Sequence, residues 1–401
     1  MNILFLTLTY PENASSRGIY IDLMKELKNR GNNITVVTPI ERRNNKDTYI
    51  SFSDGIKVLR VKSGNIQKTN KIEKGISTLL IESQFIKAIR DNLSDVKYDL
   101  IMYSTPPITF ERVIKFIKDR DNAKSYLLLK DIFPQNAVDL SMISEKGLIY
   151  KYFRKKEERL YKISDYIGCM SEKNKEYILK HNNWLSSEKV EICPNSIEPL
   201  EFSEISKSEK LLIREKHNLP KDAIICVYGG NLGKPQGIDF LIKVLDNNKN
   251  NTDIFFLIVG GGTEYNKISN WIKSNAPDNC LLLSMLPKED YDNLIKACDI
   301  GLILLDNRFT IPNFPSRILS YMEIGIPVIA ATDKNTDIGD VITAGNFGYW
   351  CESRDLAGFN NIIKNIINSK DELINIGRSG RVYLEKNYTV KTSADIIIKK
   401  I

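Results

Sequence analysis

Histidine is almost absent from this chain: of 401 residues only His181 and His217 are histidines, both in charged stretches. A histidine triad, an imidazole acid–base pair and a His-based metal site are therefore poorly supported. Cysteine is scarce as well. Cys169, Cys193, Cys226, Cys280, Cys298 and Cys351 are scattered, none spaced Cys-x-x-Cys, and several sit inside apolar runs. They read as buried thiols of a reducing cytoplasm, not as a disulfide frame or zinc site. No stretch approaches the roughly 18 consecutive apolar residues that a membrane-spanning helix needs. The opening MNILFLTLTYPE lacks the basic stretch and small-residue cleavage site of a secretory signal, and its apolar run has the length of one buried strand. Any membrane contact is expected to be peripheral.

What is present points to two domains of ordinary size, because a chain of this length with 42% apolar residues exceeds a single core. The formal charge is +7, yet residues 1–200 carry 33 Lys+Arg against 25 Asp+Glu, leaving 24 against 25 for the remainder. The excess basicity lies wholly in the first half, as suits a lobe facing an anionic membrane or nucleic acid; a lysine-rich solvated surface is the plainer alternative. Apolar runs of strand length at Ile3–Leu8, Ile34–Thr38, Leu100–Tyr103, Tyr126–Leu129 and Tyr166–Met170 alternate with helical patterns. After Pro194-Asn195-Ser196 a polar stretch to about Lys210 reads as a linker. The alternation then restarts at Ile224–Tyr228, Ile254–Val259, Cys280–Leu283, Ile300–Leu305 and Pro327–Ala331. Runs buried on both faces and separated by helices predict parallel sheets, so the expected fold class is α/β with two Rossmann-like, doubly wound domains facing a central cleft. The expected boundaries are 1–200 and 201–387, with a terminal helix over about 388–401 packing back on the first domain.

Two stretches in the second half carry chemistry. The strand ending at Tyr228 runs into Gly229-Gly230-Asn231-Leu232-Gly233-Lys234-Pro235-Gln236-Gly237 and then an amphipathic helix. Glycines there let amides approach a diphosphate, the helix N-terminus adds positive potential, and Lys234 neutralises phosphate charge. The spacing is neither a Walker loop nor a dinucleotide fingerprint; a ligand-free glycine turn is the bland alternative. Farther on, Asn313-Phe314-Pro315-Ser316-Arg317 leads through a short helix to Gly325-Ile326-Pro327. Ser316 is expected as the N-cap, with Arg317 adding a cationic fork.

These two stretches, with the start through Tyr10-Pro11 to Gly18 and with Lys130-Asp131-Ile132-Phe133-Pro134-Gln135, resemble GT-B glycosyltransferases of family 4. The likeness is to the branch acting in O-antigen and capsule assembly, known as N-acetyl-L-fucosamine transferases, whose corresponding stretch reads Arg-Asp-Leu-Trp-Pro-Glu. The four stretches fall in the right order over nearly the whole length. The resemblance implies a UDP-sugar donor held by the C-terminal domain and an acceptor, an undecaprenyl-pyrophosphate-linked saccharide, held by the N-terminal one. It also implies transfer of an N-acetylated amino sugar with retained configuration, no metal and no other cofactor, and a cytoplasmic enzyme lying on the inner face of the cell membrane. Lys234 and Arg317, with amides near Gly18 and Ser316, would stabilise the leaving UDP, while Asp131 would orient the transferring sugar or the acceptor hydroxyl. Gly230, Asn231, Gly233 and Gln236 fall in the donor-binding stretch. Many members place two glutamates eight positions apart, the second binding ribose; here Pro312 and Ser320 stand there. Ser320, or Glu323 one turn later, is the expected replacement.

Leu148–Lys156 mixes aromatics with cations, as peripheral membrane contacts do and as a solvated amphipathic helix does. Arg42, Arg43, Lys57, Arg60, Lys62, Lys68, Lys71 and Lys74 would suit a lipid-pyrophosphate acceptor; no recognised nucleic-acid module accompanies them, so no nucleic acid is expected. For Arg308 and Asn313 a structural loop role is favoured. A nucleotide-sugar epimerase on the same fold and a non-catalytic sugar-nucleotide-binding subunit are the competing readings, the first weakened because neither histidine lies in a matching motif.

Overall fold

The computed structural model describes residues 1–13, 16–66 and 69–401, without the side chains of Lys71, Ile72 and Lys74. Lys68 of the basic set thus lies outside the described residues, as do the side chains of Lys71 and Lys74. The chain divides into two compact units, Met1–Glu198 with Thr389–Ile401, and Pro199–Tyr388.

The first unit is built on eight strands: β1 (Asn2–Leu6), β2 (Asn33–Glu41), β3 (Tyr49–Ser53), β4 (Ile56–Ser63), β5 (Leu100–Ser104), β6 (Lys124–Leu129), β7 (Tyr166–Cys169) and β8 (Val190–Ile192). Their order is β3-β4-β2-β1-β5-β6-β7-β8, parallel throughout except where β3 runs antiparallel to β4. Strand β1 is sealed because Ile3, Leu4, Phe5 and Leu6 have no exposed surface, which only a sheet covered on both faces allows. The β3–β4 hairpin turns on Asp54-Gly55, a pair suited to the two-residue turn. The chain's last helix, Val390–Ile398, starts at Thr389, whose hydroxyl accepts from the Thr392 amide. Val390, Ala394 and Ile397, spaced to share one face, are buried in this unit's core with Leu23, Leu27 and Val36. Burying Val390 and Ile397 stabilises that docking by about 3–6 kcal/mol as an upper estimate. The ion pair of Arg30 with Asp395, 2.5 Å, lies on the same seam.

The second unit has six parallel strands: β9 (Ile224–Asn231), β10 (Ile254–Gly261), β11 (Cys280–Leu283), β12 (Ile300–Leu304), β13 (Val328–Thr332) and β14 (Gly348–Glu352). Their order is β11-β10-β9-β12-β13-β14, so the chain reverses direction between β9 and β12. In doubly wound sheets, ligands gather at that reversal, beyond the strands' carboxyl ends. The short helix Arg317–Glu323 is seated there by Tyr321. Its ring fills the place where a Gly301 Cβ would stand, 2.3 Å from ring carbons, and its hydroxyl donates to the Val227 carbonyl at 3.2 Å.

Several elements escape the sequence pattern. The β3–β4 pair at one edge of the first sheet, the edge strands β8 and β14, and the helices Lys207–Lys216 and Ile338–Gly345 are short or mix polar with apolar residues, so no continuous apolar run marks them.

Candidate active site

At the carboxyl end of β9 the chain makes a single 3₁₀ turn, Lys234–Gln236, before the helix Ile238–Asn248. Gly237 enters that helix in a left-handed conformation (φ 56°), and a Cβ on it would sit 2.9 Å from the Leu305 carbonyl oxygen. The Asp306 amide donates to the Pro235 carbonyl at 3.0 Å, fixing the turn against the loop after β12. Lys234 is exposed and makes no ion pair among the described residues. Asn231 is exposed, Gly230 and Gln236 are half-buried, and Gly233 is buried.

Over this turn lies Arg317. Its guanidinium stacks on the Tyr228 ring at 4.3 Å, and Nη2 donates to Gln236 Oε1 at 2.7 Å. The Tyr228 hydroxyl donates to the Asn231 carbonyl at 2.9 Å, which fixes the ring that carries the cation. Gly230 approaches the same guanidinium, an ideal Cβ there falling 3.9 Å from Nη2. Arg317 Nη1 is shielded from solvent with no hydrogen-bond partner among the described residues. A buried guanidinium N–H left without an acceptor is costly, so this corner is chemically complete only with an anion or acceptor beside it. Tyr228, which precedes the glycines, is a positioning residue that sequence reasoning passes over, since nothing in its neighbourhood marks it except the strand end.

Two expectations for the adjoining helix meet a different arrangement. Ser316 precedes Arg317–Glu323, but its backbone is already helical (φ −64°, ψ −15°) and its hydroxyl caps nothing. The Ile318 and Leu319 amides donate to the Pro315 and Ser316 carbonyls instead, so the turn begins at Pro315. Glu323 is buried, and its Oε1 accepts from the Leu200 amide at 2.9 Å. Arg381 closes the same arrangement by donating to the carbonyls of Glu323 and Leu200, so Glu323 helps to hold the 200-region. Ser320 remains half-buried with no side-chain hydrogen bond among the described residues. Arg308 is held by Asp306 through two bonds of 2.8 and 2.9 Å, a loop-stiffening pair. The Asn313 carbonyl accepts from Thr336 Oγ1 at 2.6 Å, while its Nδ2 is buried without a partner.

In the first unit, Asp131 follows β6. The amides of Lys130 and Asp131 both donate to Thr105 Oγ1, at 3.0 and 3.1 Å, and Asn136 Nδ2 donates to Asp131 Oδ1 at 2.7 Å. Burial pushes the Asp131 carboxyl up to about 6, against the opposing pull of the Asn136 and Ile132 donors. Burial likewise lowers the Lys130 ammonium to about 8, and its Nζ donates to the Cys193 carbonyl at 3.0 Å. The Gly18 amide is not open: it donates to Asp22 Oδ1 at 3.1 Å, and Asp22 Oδ2 accepts from the Glu198 amide at 3.2 Å. A carboxylate of the chain itself thus bonds the Gly18 amide at the helix N-terminus where the diphosphate contact is expected. Arg60 leaves the basic set too, being buried and donating to the carbonyls of Tyr10 and Pro11. No group of three or more His, Cys, Asp or Glu stands together to hold a metal among the described residues.

Residues 209–382, which carry the whole glycine turn and the Arg317 corner, match the family described as Glycosyl transferases group 1. This chain is a glycosyltransferase. The "Probable glycosyltransferase WbjE" of Pseudomonas aeruginosa is similar to it, 20% identical over 395 residues that cover 94% of this chain and 92% of the relative. Among solved structures, sucrose-phosphate synthase from Thermosynechococcus elongatus superimposes with a TM-score of 0.76 at 16% identity, covering 99% of this chain and 97% of that one. Anabaena HepE in complex with UDP-glucose gives 0.72 at 16% identity, covering 100% and 98%. The glycosyltransferase therefore has GT-B architecture, two α/β units each wound around a sheet that is parallel or nearly so. No described helix is long and apolar enough to cross a membrane.

Proposed function

We propose that this glycosyltransferase moves a sugar from a UDP-sugar onto a lipid-linked saccharide, without a metal, during assembly of a bacterial cell-surface polysaccharide such as capsule or O-antigen. The observation that carries the donor side is the Arg317 guanidinium, stacked on Tyr228, bonded to Gln236 and left with a buried unpartnered N–H above the glycine turn. That HepE was solved with UDP-glucose supports the donor class. The resemblance of Lys130–Gln135 to the N-acetyl-L-fucosamine branch supports an N-acetylated amino sugar, with N-acetyl-L-fucosamine the first to test.

In transfer the acceptor oxygen bonds to the anomeric carbon as the bond from that carbon to the diphosphate oxygen breaks. The acceptor proton passes to the departing diphosphate, so UDP leaves as the protonation balances. Charge develops on the leaving phosphate, where Arg317 and Lys234 lower the barrier, and little else need be supplied beyond orientation. Asp131 orients a sugar or acceptor hydroxyl, and Ser320 is the remaining candidate for the ribose. Metal independence rests on these cations and on the scarcity of histidine.

UDP is expected to raise the melting temperature by several degrees at a hundredfold excess over its Kd, equivalent to about 2.7 kcal/mol. A flat response across millimolar UDP would remove the donor assignment. Where the response is positive, turnover with a panel of UDP-sugars and a lipid-pyrophosphate saccharide, read by product mass, identifies the sugar.

A further inference from the structure

Two helices of the first unit leave large apolar side chains in water. On Lys71–Asn92 these are Ile76, Leu79 and Leu80, 50–55% exposed and spaced i, i+3, i+4 along one face. On Leu148–Ile163 they are Leu148, 83% exposed, Ile149, 59%, and Tyr152, 45%. Single exposed apolar residues need no explanation, but such a concentration on two neighbouring helices does.

The two helices present them at the same end. Each runs back between parallel strands, β4 to β5 and β6 to β7, so both N-termini lie beyond the strands' carboxyl ends, where Asp131 also stands. They are tied together through Lys156, whose Nζ lies 3.5 Å from Glu82 on the first helix and 3.9 Å from Glu111 between them. From that tie the exposed residues lie about 3–9 Å toward one N-terminus and about 6–12 Å toward the other, at 1.5 Å per residue. On both helices the exposed apolar residues therefore lie on the N-terminal side of that tie, within about two turns of it.

The cations on Leu148–Ile163 and just before it divide by direction. Arg154 and Lys156 turn inward, Arg154 to Glu157, Glu158 and Asn182, Lys156 to Glu82 and Glu111. Lys146, Lys151 and Lys155 are exposed and have no ion pair among the described residues, against one acidic residue, Glu145, in the same stretch. Lysines set among apolar residues are poor protein-interface material, since interface cores exclude them. At an anionic bilayer the same mixture is favourable, because lysines reach the headgroups while leucine, isoleucine and tyrosine enter the acyl boundary.

We propose that the N-terminal halves of these two helices form a single docking surface for an anionic lipid bilayer, setting the carboxyl end of the first unit's sheet against the membrane. The inference shares with the proposed function the premise of a membrane-held acceptor, and is independent of the donor. The full chain is expected to co-sediment with phosphatidylglycerol/phosphatidylcholine vesicles at least tenfold more strongly than with pure phosphatidylcholine. The double variant Leu148→Asp with Ile149→Asp should lose at least tenfold of that binding, and so should Leu79→Asp with Leu80→Asp. Lys151→Gln with Lys155→Gln should lose about twenty-fivefold, about fivefold per lysine. Every variant must keep the wild-type melting temperature, as substitutions at exposed positions should. Equal binding to neutral vesicles, sedimentation without vesicles, or wild-type binding by the aspartate variants of either helix overturns the proposal. UDP stabilisation measured on the same samples separates the two readings: loss of one response leaves the other standing.

Discussion

The first sheet strand of each unit leads to a helix that opens on a glycine, and the two passages have opposite electrostatics at the helix start. After β1, the Gly18 amide at the start of helix Ile19–Asn29 is closed by the buried Asp22 carboxylate, which also takes the Glu198 amide. After β9, the acidic residue of the first helical turn, Asp239, is exposed and paired outward with Lys267. Lys234 is exposed without an ion pair among the described residues, and Arg317 leans over the turn. A helix N-terminus attracts anions in both places, yet the first already holds an internal anion and the second does not. The shared fold supplies the dipole, and a handful of side chains decides whether a ligand can use it.

Removing the cationic fork gives the largest expected effect. Arg317→Ala should lower kcat at least a hundredfold, about 3 kcal/mol of lost charge stabilisation, while the melting temperature moves little. Arg317→Lys should recover only part of this, because a point charge neither stacks on Tyr228 nor offers the planar fork. Lys234→Ala, at an exposed and screened position, should cost about tenfold, with a shallower dependence on salt than wild type. Near-normal turnover in Arg317→Ala would erase the contrast between the two passages.

The α/β alternation, the parallel core of each sheet and the glycine turn are legible in the sequence because sealed strands are written as continuous apolar runs and a tight turn is written in glycine. Edge elements are less so: β14 (Gly-Tyr-Trp-Cys-Glu) mixes polar and apolar residues, and β8 spans three. Side-chain partners are the least legible part. Glu323 and Ser320 have equal claims by helical spacing, but the Leu200 amide, more than a hundred residues away, takes the Glu323 carboxylate. Likewise Asp22 sits four residues after Gly18 in plain view, yet only the Glu198 amide bonded to its other oxygen shows it to be buried and engaged. Arg154 and Lys156 differ from Lys151 and Lys155 by the carboxylates that Glu157 and Glu82 bring to them. Long-range partners of this kind leave no local spacing to read.

Asp131 gives the next effect. Its carboxyl is held at about 6 by burial, above the ordinary value near 4, so the folded chain binds that proton more tightly than the unfolded one. The stabilisation is complete below the unfolded value and is lost as the pH rises through 6, amounting to about 2–3 kcal/mol across the window. Asp131→Asn has no proton to lose. The variant's unfolding free energy relative to wild type should therefore climb by that amount between about pH 4 and pH 7. A constant difference across the range would place the carboxyl in an ordinary solvated setting.

The smallest effect tests the opposite passage directly. Asp22→Ala removes the acceptor of the Gly18 and Glu198 amides and should destabilise the chain by about 1–2 kcal/mol, read from denaturant unfolding. It should leave the Kd for UDP unchanged, because the diphosphate is assigned to the Lys234 and Arg317 side. If UDP binding instead tightens fivefold or more, the helix N-terminus at Gly18 is an anion site that Asp22 holds shut. The two passages would then differ by a removable occupant, not by design, and the donor would have to be assigned to both units.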